Sequence, residues 1–382
     1  MIDRTKEILA DLIAFPSVST DTNLDIIAYC EDLLHAAGAT TERQYDATGE
    51  KANVWATLGD EADGGLILSA HTDVVPVEGQ PWTSDPFRMV EKDGKLYGRG
   101  SCDMKGFLAC VLAMLPRFRD AGIPVHVALT YDEEISCFGA VELARHLREK
   151  GINPAMALIG EPTEMDVVQG HKGCWEYSVR FTGKEGHGSR PDLGVNAGVF
   201  ATRYAARMME LAGEMAARPQ TDSGFTPPWT TVNIGRISAG NATNTIPGEA
   251  RIDWEMRPIV ETDGRDFLAR LHAWTAEVLE PEMKAGDHDT GVEFITMGEF
   301  PPFLPADPNP ARDLLLSLTG ANSAGLVSYC TEAGAFAGNG ISAVICGPGS
   351  ILQAHKPDEF VEIAQLQACL DLLDKLAKRL SA

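Results

Sequence analysis

A chain of 382 residues exceeds one compact domain, so a large core with a second domain attached is expected. Its formal net charge of −23 argues against nucleic acid and against an anionic membrane surface as partners, since neither would be attracted electrostatically. The first residues, MIDRTKEILADLIAF, carry acids in an amphipathic pattern without a long apolar run, which argues against a secretory signal or membrane span and leads us to expect a cytoplasmic protein.

Up to about residue 162, helix-period segments over 5–14, 24–37, 104–118 and 139–150 alternate with short β-rich runs over 65–70, 124–131 and 155–160. That alternation predicts an α/β sheet covered by helices. After Lys172 the texture changes to strand 174–182, helix 195–214, strand 230–237, strand 249–256, helix 263–279 and strand 291–297. The order β-α-β-β-α-β is that of a split, ferredoxin-like unit, four strands with two helices on one face, compact enough to be an inserted domain. After Pro301 and Pro302 the first pattern resumes with helix 310–318, strand 342–346 and a closing helix 360–380. The expected division is a catalytic domain of residues 1–172 and 299–382, interrupted by 173–298.

Eight cysteines are scattered without any C-x-x-C pair, so metal ligands are sought among His, Asp and Glu. L-I-L-S-A-H-T-D places His71 and Asp73 at the C-terminal end of a buried strand, where α/β folds open their clefts. Residues two apart share a strand face, so Asp73 is positioned to accept the second imidazole N–H of His71 and fix its tautomer. G-R-G-S-C-D-M-K-G then delivers Asp103 from a glycine-rich turn just before an apolar helix. An N-cap is the ordinary role for such an aspartate. Three glycines around one acid point instead to a backbone held near a ligand, and a carboxylate has two oxygens with which to bridge cations about 3.5–4 Å apart.

V-H-V-A-L-T-Y-D-E-E ends a strand in three acids. Adjacent side chains there diverge, which assigns Glu134 as a ligand and Glu133 as the general base that deprotonates the attacking water. A-L-I-G-E-P-T sets Glu161 at another strand end, and G-P-G-S-I-L-Q-A-H-K-P-D-E brings His355 on a late loop. Each alone is an ordinary surface or core residue. Five N/O donors at successive strand ends, with a spare acid, are improbable as independent accidents.

The motifs S-A-H-T-D-V-V-P-V, L-Y-G-R-G-S-C-D-M-K-G, D-E-E, G-E-P-T and A-H-K-P-D-E, in this order, resemble the co-catalytic zinc peptidase and deacylase family, which includes acetylornithine deacetylases, succinyl-diaminopimelate desuccinylases, carboxypeptidase G and aminoacylase. The resemblance covers essentially the whole chain. It implies two divalent ions, zinc with cobalt able to substitute, one on His71, Asp103 and Glu161 and the other on Asp103, Glu134 and His355. It also implies a cis peptide after Asp103 and an inserted domain that acts as lid and as the homodimer contact. By the same likeness, His187 of G-K-E-G-H-G-S reaches the partner subunit's active site to stabilise an oxyanion, while Asn244 and Arg257 hold the substrate's carboxylate.

Glu161 separates this chain from the aminopeptidase-like branches, which resemble one another in having Asp there. L-I-A-F-P-S-V-S, G-R-G-S-C-D-M-K-G-F and T-E-A-G-A-F are most similar to the acetylornithine deacetylases, implying hydrolysis of N-acetyl-L-ornithine to ornithine and acetate in arginine biosynthesis. Within T-E-A-G-A-F, Thr331 and Glu332 are expected at the substrate, Glu332 beside the ornithine ammonium. The alternatives are a desuccinylase, a broader N-acyl-amino-acid hydrolase, or a non-catalytic binding protein on the same fold.

Overall fold

The computed structural model describes residues 1–59, 63–135 and 137–381. The chain divides into two compact units, one of Met1–Gly170, Pro305–Leu326 and Thr331–Ala382, the other of His171–Leu304 with Val327–Cys330.

The first unit is built on an eight-stranded sheet in the order Thr40–Tyr45, Ala52–Leu58, Val125–Thr130, Leu66–His71, Met156–Pro162, Ser342–Gly347, Val168–His171 and Gly325–Val327. Four neighbours, Val125–Thr130, Leu66–His71, Met156–Pro162 and Ser342–Gly347, run parallel, so their C-terminal ends reach one edge of the sheet. Val54, Leu68, Val127, Leu158 and Val344 pack into one core with helices Ile2–Ala14, Lys105–Phe118 and Ile363–Leu380. The alternating positions Trp55, Ile67, Ala128, Ile159 and Ile345 are buried as well, so both faces of the sheet are covered. This is why these strands read as continuous apolar runs.

Helix Lys105–Phe118 is apolar almost all round and almost wholly buried, as its sequence KGFLACVLAMLPRF requires. It approaches the sheet closely because position 160 carries no side chain: a β-carbon on Gly160 would lie 1.9 Å from a ring carbon of Phe107. The helix begins at Lys105 with Met104 as its cap residue and no side-chain capping bond, so Asp103 is not an N-cap.

The second unit carries a four-stranded antiparallel sheet in the order Thr231–Ala239, Glu249–Arg257, Cys174–Thr182, Gly291–Phe300. Trp175, Val179, Phe181, Ile252 and Met256 share a core with helices Ala197–Ala216 and Glu261–Trp274. The alternating set, including Glu176, Arg180, Arg251, Asp253 and Glu255, forms a polar face. No helix among the described residues is long and apolar enough to cross a membrane.

Several elements differ from the sequence expectation. Residues 360–362 form a short strand, Phe360–Glu362, paired with Lys95–Tyr97, so the closing helix starts only at Ile363. The antiparallel pair Thr40–Tyr45 and Ala52–Leu58 was not expected, because polar Asn53 and Thr57 interrupt the apolar run. Most of their polar groups find partners inside the fold: Asn53 Nδ2 donates to Gln44 Oε1 and to the Gly139 carbonyl, both at 2.9 Å, and Thr57 Oγ1 lies 3.0 Å from His126 Nδ1, while Asn53 Oδ1 is buried without a partner.

Replacing Gly160 with alanine tests the close helix-to-sheet approach. Because the ring of Phe107 is locked in the core, the overlap is expected to destabilise the protein by about 1–3 kcal/mol, read as a lower urea midpoint with an unchanged slope.

Candidate metal centre

Three acidic or imidazole-bearing segments leave the same sheet edge, and a fourth comes from the turn before a helix. His71 closes the strand Leu66–His71, the acids 132–134 follow Val125–Thr130, Glu161 lies at the end of Met156–Pro162, and Asp103 comes from the turn before helix Lys105–Phe118. The turn is tight: Gly100 has φ +80°, and a β-carbon there would come within 2.8 Å of Val74 and 2.9 Å of Lys105. The peptide between Asp103 and Met104 is cis.

At the centre, the two oxygens of Asp103 face different imidazoles. Oδ1 is 3.1 Å from His71 Nε2, and Oδ2 is 3.5 Å from His355 Nε2. On the first side, Glu161 Oε1 stands 3.8 Å from His71 Nε2. On the second, Glu134 Oε2 stands 2.8 Å from His355 Nε2. Donor atoms of His71, Asp103 and Glu161 lie within 4.8 Å of one another, and so do those of Asp103, Glu134 and His355. Glu133 belongs to neither group.

Asp73 organises the surroundings. Its carboxylate accepts the N–H groups of Glu133 at 3.1 Å and Glu134 at 3.2 Å, and the Ser19 hydroxyl at 2.6 Å. The partner of His71 Nδ1 within bonding distance is the Asp73 carbonyl at 3.0 Å, with the carboxylate at 3.6 Å. The Nδ1–H is therefore received by the Asp73 carbonyl rather than by its carboxylate as expected, while Nε2 faces Asp103, donating to it when the ring is protonated and offering its lone pair when a cation binds. Asp132 turns away to Lys51, 2.6 Å distant. Cys137 Sγ lies 3.3 Å from Glu133 Oε1.

The electrostatics reflect crowded carboxylates. Burial raises Glu133 and Glu161 well above the ordinary carboxyl range, and neighbouring acids push in the same direction. Glu134 is raised to about 7, first by burial and then by Asp103. Burial would also raise Asp103, but hydrogen bonds from His355 and His71 take it below the usual value. His355 is raised to about 11 by Asp103 and Glu134. For His71, burial opposes the charged form, yet Asp103 and Asp73 hold it well above its usual value.

These residues fit a pair of divalent cations. The donor set mixes neutral imidazole and carboxylate oxygen, the choice that suits zinc and cobalt. Glu161 Oε1 is buried with no hydrogen-bond partner, an orphaned acceptor aimed at the first group. A third cluster, Cys174, Glu176 and Glu255, lies in the second unit. There Arg257 Nη2 sits 2.7 Å from Glu255, placing a positive charge where a cation would go.

The remaining sequence candidates are placed as follows. Glu332 was expected beside a substrate ammonium, but it is wholly buried, and its oxygens accept the hydroxyls of Ser69 at 2.9 Å and of Thr130, so it presents no surface to a ligand. Thr331 is also buried, its hydroxyl accepting the Ala333 N–H at 3.2 Å. In the second unit His187 is exposed, with Nδ1 at 2.8 Å from Ser189 Oγ. It pairs with Thr245 in a two-residue ribbon beside Asn244, whose carbonyl accepts the Gly188 N–H. Arg257 is held by Glu255. Sequence reasoning passed over Ser19, Gln80, Arg99 and Glu359. Arg99 and Glu359 stand inside quoted motifs, and a charged residue embedded in a glycine-rich turn was the available signal.

Residues 67–379 match the family described as peptidase family M20/M25/M40. The chain is 36% identical over 373 residues to an acetylornithine deacetylase of Myxococcus xanthus, covering 94% of this chain and 93% of that one. It is 34% identical over 384 residues to an acetylornithine deacetylase of Shigella sonnei, covering 96% and 95%. An M20 family metallo-carboxypeptidase from Sulfolobus solfataricus shares the fold, with a TM-score of 0.77 at 16% identity and 99% of each chain covered. The chain belongs to peptidase family M20/M25/M40. It is a hydrolase of the metallopeptidase and amidohydrolase kind.

Asp73→Ala tests the organising role of that carboxylate. Leaving the part-buried N–H groups of Glu133 and Glu134 without that acceptor is expected to cost about 1–3 kcal/mol in all, seen as a lower denaturation midpoint in chelator-treated protein.

Proposed function

We propose that this chain hydrolyses the amide of N-acetyl-L-ornithine to L-ornithine and acetate, using two divalent cations, zinc with cobalt able to substitute. The observation that carries the two-cation part is Asp103, whose oxygens face two separate donor groups, His71 with Glu161 and His355 with Glu134. The substrate is supported by the 34–36% identity to proteins named acetylornithine deacetylase over nearly the full chain. Bound there, the ions would act as Lewis acids on the acyl carbonyl and bring the pKa of water toward neutrality.

The protein's own groups divide the remaining work. Glu133, outside both donor groups, takes the proton of the attacking water and returns it to the departing amine nitrogen. Asp73 and the backbone around it hold the His71 tautomer and the 133–134 turn in place. In this reading His187 donates to the developing oxyanion, and Asn244 and Arg257 take the substrate carboxylate, Arg257 exchanging Glu255 for it. The reading includes a homodimer formed through the second unit, and cytoplasmic action on a small-molecule substrate.

The test is a substrate panel on zinc- or cobalt-reconstituted protein, scored by release of free amine. Acetylornithine should give the highest kcat/KM among N-acyl amino acids. A preference for succinyl-diaminopimelate would move the assignment within the family, and no hydrolysis of any member would overturn it. In parallel, Glu133→Gln should keep two equivalents of metal while kcat falls about 10²–10⁴-fold. Retained turnover would place the base elsewhere.

A further inference from the structure

His355 is the exposed member of the second donor group: its side chain is 53% accessible, whereas those of Asp103 and Glu134 are 7% and 4%. It stands on a loop rather than a helix or strand, and its φ is +62°. A residue with a β-carbon adopts that conformation when its surroundings impose it. Among the described residues the polar partners of the imidazole are the carboxylates of Asp103 and Glu134, so its direction depends on how the loop backbone is held.

The backbone is held by a chain of side chains the mechanism does not use. Gln80 Nε2 donates to the His355 carbonyl at 3.1 Å. Gln80 Oε1 accepts from Arg99 Nη2 at 2.6 Å and from Trp82 Nε1 at 3.0 Å, so the amide is fixed at both ends. Arg99 is paired with Glu359 at 2.7 Å, each about 1% accessible. Glu359 in turn accepts the N–H groups of Gly100, Cys102 and Asp103 at 3.0, 2.9 and 3.1 Å. An unbroken hydrogen-bonded path thus runs from the Asp103 backbone through Glu359, Arg99 and Gln80 to the His355 backbone.

We propose that Gln80 is a positioning residue for His355, tying it to the buried Arg99 and Glu359 pair that fixes Asp103, and thereby sets the affinity of the Asp103, Glu134 and His355 site without affecting the His71, Asp103 and Glu161 site. This rests on the two-cation reading given above. The selectivity follows from the geometry, since Gln80 touches the loop of His355 and no part of His71 or Glu161, whereas Glu359 holds Asp103, which both sites share. Partners that orient a ligand typically change metal affinity 10–100-fold when removed. Gln80 is also the removable member. Truncating Arg99 or Glu359 would strand a buried charge and threaten the fold.

The experiment is calorimetric titration of zinc into chelator-treated, full-length protein. Wild type should show two binding steps, and the step lost in His355→Ala identifies the second site. In Gln80→Ala that step should weaken about tenfold or more, the other should stay within twofold, and the melting temperature of the metal-free protein should stay within a few degrees. A merely structural tie would lower the melting temperature and leave the ratio of the two steps unchanged. An unchanged second step, or equal weakening of both, overturns the proposal. Failure of wild type to bind two ions would instead overturn the two-cation reading. Should Gln80→Ala lose its fold, Gln80→Glu keeps the acceptor for Arg99 and Trp82 and sets an anionic oxygen against the His355 carbonyl in place of the donor, and should weaken the same step selectively even though its added charge favours cations.

Discussion

The arrangement depends on one carboxylate being pulled in two directions. Asp103 directs one oxygen to His71 and the other to His355, and these residues come from segments separated by most of the chain. Everything near the sheet edge serves that geometry. Parallel strands bring His71, the 132–134 turn and Glu161 to one edge, a glycine-rich turn presents Asp103 to them, and Glu359 secures the turn by its backbone. A single residue that faces two donor groups makes the groups interdependent: whatever displaces Asp103 disturbs both.

The second constraint is charge. Asp73, Asp103, Glu133, Glu134, Glu161 and Glu332 crowd one end of the sheet, largely out of water, and His71 and His355 are the cationic groups directly against them. Buried carboxylates raised by burial and by each other are expensive in free energy unless something positive compensates. Two divalent cations would do so, and their binding would then be linked to folding, since the unfolded chain offers no assembled site.

Much of this was legible in the sequence, for identifiable reasons. The parallel strands announced themselves as short apolar runs because both sheet faces are covered, and strand ends in such folds mark clefts. His71, Glu134 and Glu161 stand out in the sequence for that reason, Asp103 by its glycine-rich turn and His355 by its motif, and the structure brings their donor atoms into two clusters. Other features depended on tertiary partners that no local pattern encodes. The strand Ala52–Leu58 hides two polar residues whose partners come from neighbouring segments. Glu332 read as a specificity residue because of its place in a motif, yet the fold turns it onto Ser69 and Thr130. Arg99 and Glu359, 260 positions apart, form a pair that only the folded chain reveals.

The most direct test of the account is anomalous diffraction at the zinc edge from crystals of the zinc-loaded protein. Two peaks about 3.5–4 Å apart, bridged by the Asp103 carboxylate, are expected. No peak at that carboxylate, or one confined to the Cys174, Glu176 and Glu255 cluster, would contradict it.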